Sequence, residues 1–530
     1  MDQAATEATR ASRSTIGDAL RRAARRFGAR GALSFAGRRW SYRDLDLAAD
    51  RVARCLLAAG LARGDRVVAY GRNSDGYLLL WLGCLRAGLV HVPANYALTA
   101  EELGYILGQC GARALLTQPA LAAVAEAACA ARGAVLRGTL DSGEGPLDIL
   151  AAARDVAWDR VAGAPPDEVL ADTDLAQILY TSGTTGAPKG AMMTHRALLH
   201  EYVSAVQALD FGESDRALAA LPLYHSAQMH AFTMPQLLVG ADTLLIEAPL
   251  PALVLDLIEG QRITSFFAPP TVWISLLRHE DFARRDLTSL RHLYYGAAIM
   301  PVPVLQELRE RLPGAHPYNC YGQSEIAPLA TVLRPEEHAA RPASVGRPVL
   351  HVETRLVDAA MRDVPPGERG EIVHRSPQLL TGYWGKPEET AAAFAGGWFH
   401  SGDVGTMDEE GYITIVDRTK DVINTGGVLV ASREVEDAIL THPAVSECAV
   451  IGLPDPRWIE AVTAVVVLRQ GAQATEAALI EHARQHLAAF KLPKRVILAG
   501  ELPRNTAGKL LKRQLRAMHG GQAEALPGAG

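Results

Sequence analysis

The segment from Tyr180 to Gly190 reads YTSGTTGAPKG. It crowds four hydroxyl side chains (Thr181, Ser182, Thr184, Thr185), three glycines (Gly183, Gly186, Gly190) and one cation, Lys189, into eleven residues. Glycine lets a backbone turn tightly enough to aim several N–H groups at one point. Hydroxyls and an ammonium beside them suit the oxygens of a phosphate. The pattern is not a Walker loop, which needs Gly before its lysine and Ser or Thr after it. Here Pro188 and Gly190 hold those places.

YTSGTTGAPKG resembles the phosphate loop of the acyl-adenylate-forming enzymes, the superfamily of acyl-CoA synthetases, non-ribosomal adenylation domains and firefly-type luciferases. Further strings similar to that superfamily's follow in its order. They are Leu221-Pro222-Leu223-Tyr224-His225, Tyr321-Gly322-Gln323-Ser324-Glu325, Trp398-Phe399-His400-Ser401-Gly402-Asp403, Asp417-Arg418-Thr419-Lys420-Asp421, Gly426-Gly427, and Pro503-Arg504-Asn505-Thr506-Ala507-Gly508-Lys509. The likeness spans nearly the whole chain. It implies an ATP-dependent carboxylic acid–CoA ligase that uses ATP, Mg2+ and coenzyme A. Such an enzyme makes an acyl-AMP with release of pyrophosphate, then a CoA thioester.

Each string also has a physical reading. A Mg2+ ion carried by nucleotide phosphates takes one or two protein oxygens, and Glu325 and Thr184 can supply them. Tyr321, followed by Gly322 and Ser324 in the same turn, is placed to cover an adenine. Asp403 can accept both hydroxyls of a ribose, as acidic residues do in other nucleotide sites. By resemblance, Arg418 contacts ribose or phosphate, Lys420 is the hinge, and Gly426 and Gly427 line the pantetheine tunnel, where only glycine permits close backbone approach. Lys509 resembles the catalytic lysine that bridges the substrate carboxylate and the α-phosphate. His225 resembles the residue that gates the acyl pocket; no base is required of it, because a carboxylate is already ionised at neutral pH.

The matching acyl-pocket positions are Ser226, Gln228, Met229, Phe266, Phe267, Thr271, Val272, Trp273, Tyr295, Gly296, Ala297, Ala298 and Ile299, with no Arg or Lys among them. A second carboxylate buried there would lack a partner, which is costly. No Asp stands near Ala231–Met234 to receive an amino acid's ammonium. An apolar monocarboxylate is expected: a fatty acid in the simplest reading, an aryl or polyketide-like acid in the rival one. Val428 and Leu429 stand where the superfamily usually has Glu-Asn, and Ser432 where Pro is common. That change bears on thioester formation more than on adenylation. A ligase passing acyl-AMP to a carrier protein, a phosphotransferase releasing ADP and a non-catalytic binder are the other readings.

The elements that must hold these residues are α/β in type. Strands such as Arg66–Tyr70, Gln177–Tyr180, Ser265–Ala268 and His292–Tyr295 alternate with helices such as Ser41–Ala58 and Gly76–Ala87, which predicts parallel sheets. The phosphate loop is read as strand, loop, then helix from Thr194. From about residue 345 to 416 short alternating strands predict a barrel-like β subdomain. The expected organisation is a large N-terminal domain over residues 1–416, a hinge at 417–421, a small α+β C-terminal domain over 422–520 and a disordered tail at 521–530.

Composition agrees with a globular enzyme: of the chain's 530 residues, 48% are hydrophobic and 21% charged, with a net charge of −6. No basic footprint for nucleic acid exists in that balance. Six scattered cysteines form no metal or disulfide pattern. The longest stretch without charge, Ala217 to Ala241, carries Pro222, His225, Gln228, His230 and Pro235, so it is a poor membrane span. A cytoplasmic enzyme is expected, and a homodimer stays open.

Overall fold

The computed structural model describes residues 11–130, 135–161, 170–181, 187–298, 300–418, 421–425, 428–505 and 510–520. Among these residues the chain forms four sheets, of nine, six, four and five strands. The architecture is the expected α/β one.

Local sequence explains the elements that open the chain. Ser41 caps the helix Tyr42–Ala58 by accepting the Asp44 amide, while the Asp44 carboxylate returns a bond to the Ser41 amide. This reciprocal box satisfies two amides that a helix start would leave bare. The helix Asp75–Ala87 has all thirteen residues buried. Its near-continuous apolar text (GYLLLWLGCL) suits a helix packed on every side. Arg86, buried within it, is paired with Asp46 and Asp50, as a buried guanidinium must be.

The two large sheets carry the site. The six-stranded one is parallel from Leu136–Thr139 through Ala114–Thr117, Arg66–Tyr70 and Val90–Ala94 to Leu175–Thr181. Its last strand, Lys189–Thr194, is antiparallel to Leu175–Thr181. The phosphate-loop text therefore spans a β-hairpin, and the helix His195–Ala208 begins only after a second strand. The preceding strand and the helix after its cap Thr194 stand where expected, and the strand Lys189–Thr194 is the additional element. The four residues AMMT of that strand are too short a run to distinguish from a helix start by periodicity.

In the nine-stranded sheet the strands Gly31–Phe35, Asp242–Leu245, Arg216–Ala219, Ser265–Ala268, His292–Gly296 and His316–Gly322 run parallel, with antiparallel strands at both edges. The barrel-like segment takes the form of an antiparallel meander, Glu353–Val357, Gly370–Arg375, Phe399–Met407 and Ile413–Arg418. Toward the C-terminus, the long hairpin Val445–Asp455 and Ile459–Leu468 packs against the helices Ser432–Leu440 and Glu476–Arg484.

Candidate active site

The strand Leu175–Thr181 ends at Thr181, whose hydroxyl donates to Glu325 Oε1 at 3.1 Å. Tyr383 donates its hydroxyl to the same oxygen at 3.2 Å. Burial first, and then the neighbouring Glu325 charge and hydrogen bond, push the Tyr383 phenol up from its ordinary value. It therefore stays protonated and remains a donor. The Lys189 ammonium lies 5.3 Å from the centre of the Tyr383 ring, within cation–π range.

Tyr383 reaches this place on a strap that runs along the edge of the six-stranded sheet. Thr381 N–H donates to the Met192 carbonyl at 3.0 Å, Met192 N–H to the Gly382 carbonyl at 3.0 Å, and Trp384 N–H to the Gly190 carbonyl at 2.8 Å. The strap covers an edge strand that would otherwise present unpaired backbone groups. It also holds Glu325 from behind, because Leu380 N–H donates to the Glu325 carbonyl at 2.9 Å.

The turn carrying Glu325 depends on close backbone approach. A Cβ at Gly322 would lie 1.8 Å from the Pro328 carbonyl oxygen, so a side chain there must displace main chain. Ser324 meets Ser226, oxygen to oxygen, at 2.8 Å. Tyr321 donates to Asp403 Oδ2 at 2.7 Å, and Asp403 is buried. Asp403 pairs in register with Arg418 on the next strand. The residues read as adenine cover and ribose acceptor thus touch directly.

His225 closes the segment before a π-helical turn, Ala227–Thr233. Its Nδ1 accepts the Ala227 amide at 3.3 Å, which leaves the proton on Nε2. Gln228 is buried and engaged locally: its amide oxygen accepts the Leu221 N–H and its NH2 donates to Thr233.

The expected acyl pocket divides in two. Successive residues of a strand face opposite sides of a sheet. Phe267 faces one core, stacked on Phe232 with ring centres 4.0 Å apart. Phe266 faces the other, 5.2 Å from Trp273. Trp273 donates its indole N–H to the Tyr294 carbonyl, and the Tyr295 hydroxyl pairs with His338. Phe266, Trp273 and Tyr295 are therefore core beneath the helices Pro270–Arg278 and Val302–Arg311, which corrects their assignment to one pocket with Phe267. Gly296, Ala297 and Ala298 lie at the carboxyl end of the strand His292–Gly296. There Ala297 takes a left-handed φ of 62°, and both alanines are exposed. A Cβ at Gly296 would meet the Cys320 carbonyl oxygen at 2.2 Å. The carboxyl ends of parallel strands are where open α/β sheets bind ligands.

Ser182, Gly183, Thr184, Thr185, Gly186, Ile299, Lys420, Gly426, Gly427 and Lys509, with the side chain of Arg418, lie outside the described residues.

Residues 20–384 match the family described as AMP-binding enzyme, and residues 434–509 match the AMP-binding enzyme C-terminal domain. The chain belongs to the AMP-binding enzyme family. It is 38% identical over 489 residues to a feruloyl-CoA synthase from an Amycolatopsis species, covering 92% of this chain and 96% of that one. It is 32% identical over 529 residues to a long-chain-fatty-acid–CoA ligase of Bacillus subtilis, with 94% of each chain covered. Among solved structures, ATP-bound MatB from Rhodopseudomonas palustris superposes with a TM-score of 0.88 at 32% identity, covering 96% of this chain and all of that one. This AMP-binding enzyme is accordingly an acid–thiol ligase of the acyl-CoA synthetase branch.

Sequence reading of this AMP-binding enzyme missed Tyr383. It stands in Leu380-Thr381-Gly382-Tyr383-Trp384-Gly385, where Gly382 reads as punctuation between strands. An aromatic between two glycines was the available signal. Its partner Glu325 is 58 positions earlier, and no local period links the two.

Proposed function

We propose that the protein activates an apolar monocarboxylic acid with ATP and transfers it to coenzyme A. The observation that carries this reading is the convergence of Thr181 and Tyr383 on Glu325, with Lys189 over the Tyr383 ring and Ser226 joining the same turn through Ser324. One wall is thus rich in hydroxyl and ammonium donors, and the turn beside it is the one on which an acid would rest.

In the first half-reaction a carboxylate oxygen attacks the α-phosphorus in line. The bond between that phosphorus and the bridging oxygen breaks, and pyrophosphate leaves. Lys189 and the hydroxyls of the loop hold the phosphates, Tyr321 covers the adenine and Asp403 the ribose. Lys509 stabilises the charge that moves between carboxylate and phosphate. In the second half-reaction the CoA thiol attacks the acyl carbon beside Gly427, its proton goes to solvent and AMP leaves. Rotation about Lys420 would present Lys509 and Gly427 in turn.

The donor set fits Mg2+. Among the described residues Glu325 takes both hydroxyl bonds on Oε1 and none on Oε2, and no group of three or more acidic, His or Cys side chains competes for an ion. A hard ion that draws most of its ligands from phosphate and water needs little more. Glu325, with Thr184, would hold it, and when bound it offsets phosphate charge.

The acid would lie across Ala297 and Ala298 toward the Phe267 face, and no Arg or Lys stands among the pocket positions named above to meet a second carboxylate. A linear fatty acid is the first reading. An aryl acid is the second, favoured by the Phe232–Phe267 stack and by the feruloyl-CoA synthase relative. The test is a panel of linear acids beside malonate and cinnamate-type and benzoate-type acids, with pyrophosphate release and acyl-CoA formation read separately. Each added methylene should raise kcat/KM by at most about three- to fourfold, the equivalent of ~0.8 kcal/mol, until the pocket is full. Preference for malonate or an amino acid would overturn the apolar pocket.

A further inference from the structure

A chain of hydrogen bonds runs through the interior behind the site. Tyr202 donates to His230 Nδ1 at 2.8 Å. That leaves His230 Nε2 protonated, and it donates to the Gln177 carbonyl oxygen at 2.7 Å. The Gln177 amide then donates to His91 Nδ1 at 3.0 Å. All four side chains are buried. The Trp81 ring lies edge-on to both imidazoles, at 5.3 and 5.5 Å between centres. Burial pushes both histidines down to about 3, so neither ring changes charge at neutral pH.

The central pair of this chain, Gln177 and His230, joins different halves of the site. Gln177 lies on the strand Leu175–Thr181, four residues before Thr181 and so on the same face. His230 lies in the π-helical turn Ala227–Thr233, directly after His225 and Ser226. A π turn is a poor element by itself and concentrates at functional sites. Here its one buried histidine is fastened to the phosphate-loop strand.

We propose that His230, through Gln177, is a positioning residue for adenylation: it sets the distance between the acid-side turn and the phosphate-side strand. The inference rests on the proposed function, in which His225 gates the acid's pocket and Ser226 meets the turn carrying Glu325 through Ser324. Before adenylation the two reactants are both anionic and unlinked, and attack needs the reacting atoms to be held about 3–3.5 Å apart in line. After adenylation the acyl group and the phosphate are one molecule, so their separation no longer depends on the protein. A loosened His230–Gln177 tie should therefore slow the first half-reaction and spare the second.

The test uses the full chain and two rates: pyrophosphate release from acid and ATP at saturation, and acyl-CoA formation from supplied acyl-AMP and CoA. In His230→Phe, which keeps a ring and removes both bonds, the first rate should fall on the order of tenfold to a hundredfold while the second holds near wild type. His230→Gln, which can still donate and accept, should recover most of the loss. Equal loss in both rates, or no loss in folded protein, overturns the inference. If His230→Phe does not accumulate folded, Gln177→Met is read by the same two rates with the same expectation and the same refutation. Glu325→Gln runs in parallel. Loss of adenylation there, with none in His230→Phe, overturns this inference alone; loss in neither variant overturns the site reading beneath it.

Discussion

Tyr383→Phe removes one hydroxyl and leaves the rest of the strap in place. The ring stays beneath Lys189, and the backbone bonds of Thr381, Gly382 and Trp384 to the edge strand do not involve the side chain. What is lost is one of two hydroxyl bonds to Glu325 Oε1. A hydrogen bond to a charged group contributes about 1.5–3 kcal/mol. The bonds from Tyr383 and Thr181, at 3.2 and 3.1 Å, are longer than the 2.5–2.7 Å of the strongest hydroxyl–carboxylate pairs, so the lower end applies. About 1.5 kcal/mol corresponds to roughly tenfold in rate. ATP–pyrophosphate exchange should fall by about that factor in Tyr383→Phe and in Thr181→Val, and about a hundredfold in the double variant if the two bonds act independently. Because both hydroxyls act by orienting one carboxylate, Tyr383→Phe should cost little more once Glu325 is already Gln. An undiminished exchange rate in Tyr383→Phe would refute the reasoning. So would a full tenfold further loss in the Glu325→Gln background, since the hydroxyl would then act on something other than that carboxylate.

The two faces of the strand Ser265–Ala268 predict different phenotypes. Phe266→Ala should cost about 3–5 kcal/mol of stability by urea denaturation with acid preference unchanged, whereas Phe267→Ala should also shift the kcat/KM ratio between linear and aryl acids. Lys509→Ala should lose about a hundred- to thousandfold in adenylation yet still convert supplied acyl-AMP. Gly427→Leu should do the reverse, keeping pyrophosphate exchange and losing acyl-CoA. Stability should fall on acidification. His91 and His230 are held at about 3 in the fold against about 6.5 unfolded, so their contribution is whole above pH 6.5 and is lost as pH falls from there toward 3. Between pH 7 and 5 each should remove about 2 kcal/mol, read as a shift in urea midpoint; His230→Phe should show the smaller pH dependence.

The parts of the site that were legible are those whose chemistry is local. Capping boxes and buried strands each declare themselves within about a dozen residues, because a helix start is satisfied by its own neighbours. Tyr321 and Asp403 were singled out for a second reason, the resemblance of the strings that carry them, and the structure brings the two side chains into contact. The division of the acyl pocket was equally present in the text FF of Ser265–Ala268. Adjacent strand residues cannot share a face, and a motif-based list overlooks that rule.

Tyr383 and His230 mark where such reading stops. Gln177 and His230 are separated by 53 positions, and Tyr202 and His230 by 28. In a sequence His230 is one more polar residue in an apolar run, and burial with neutral pairing is the ordinary fate of such a histidine. Its significance comes from which strand the pairing reaches. The same partners placed on any strand other than Leu175–Thr181 would give an equally satisfied core and no tie to the strand that ends at Thr181, the partner of Glu325. Glu325 makes the same point from the other side. Its carboxylate is held by Thr181 from the loop strand and by Tyr383 from the strap, and its backbone by Leu380. Glu325 is thus fixed by two segments, the strand Leu175–Thr181 and the strap, that lie far apart in sequence. A site assembled this way tolerates change in one segment only as far as the other can still reach the same carboxylate.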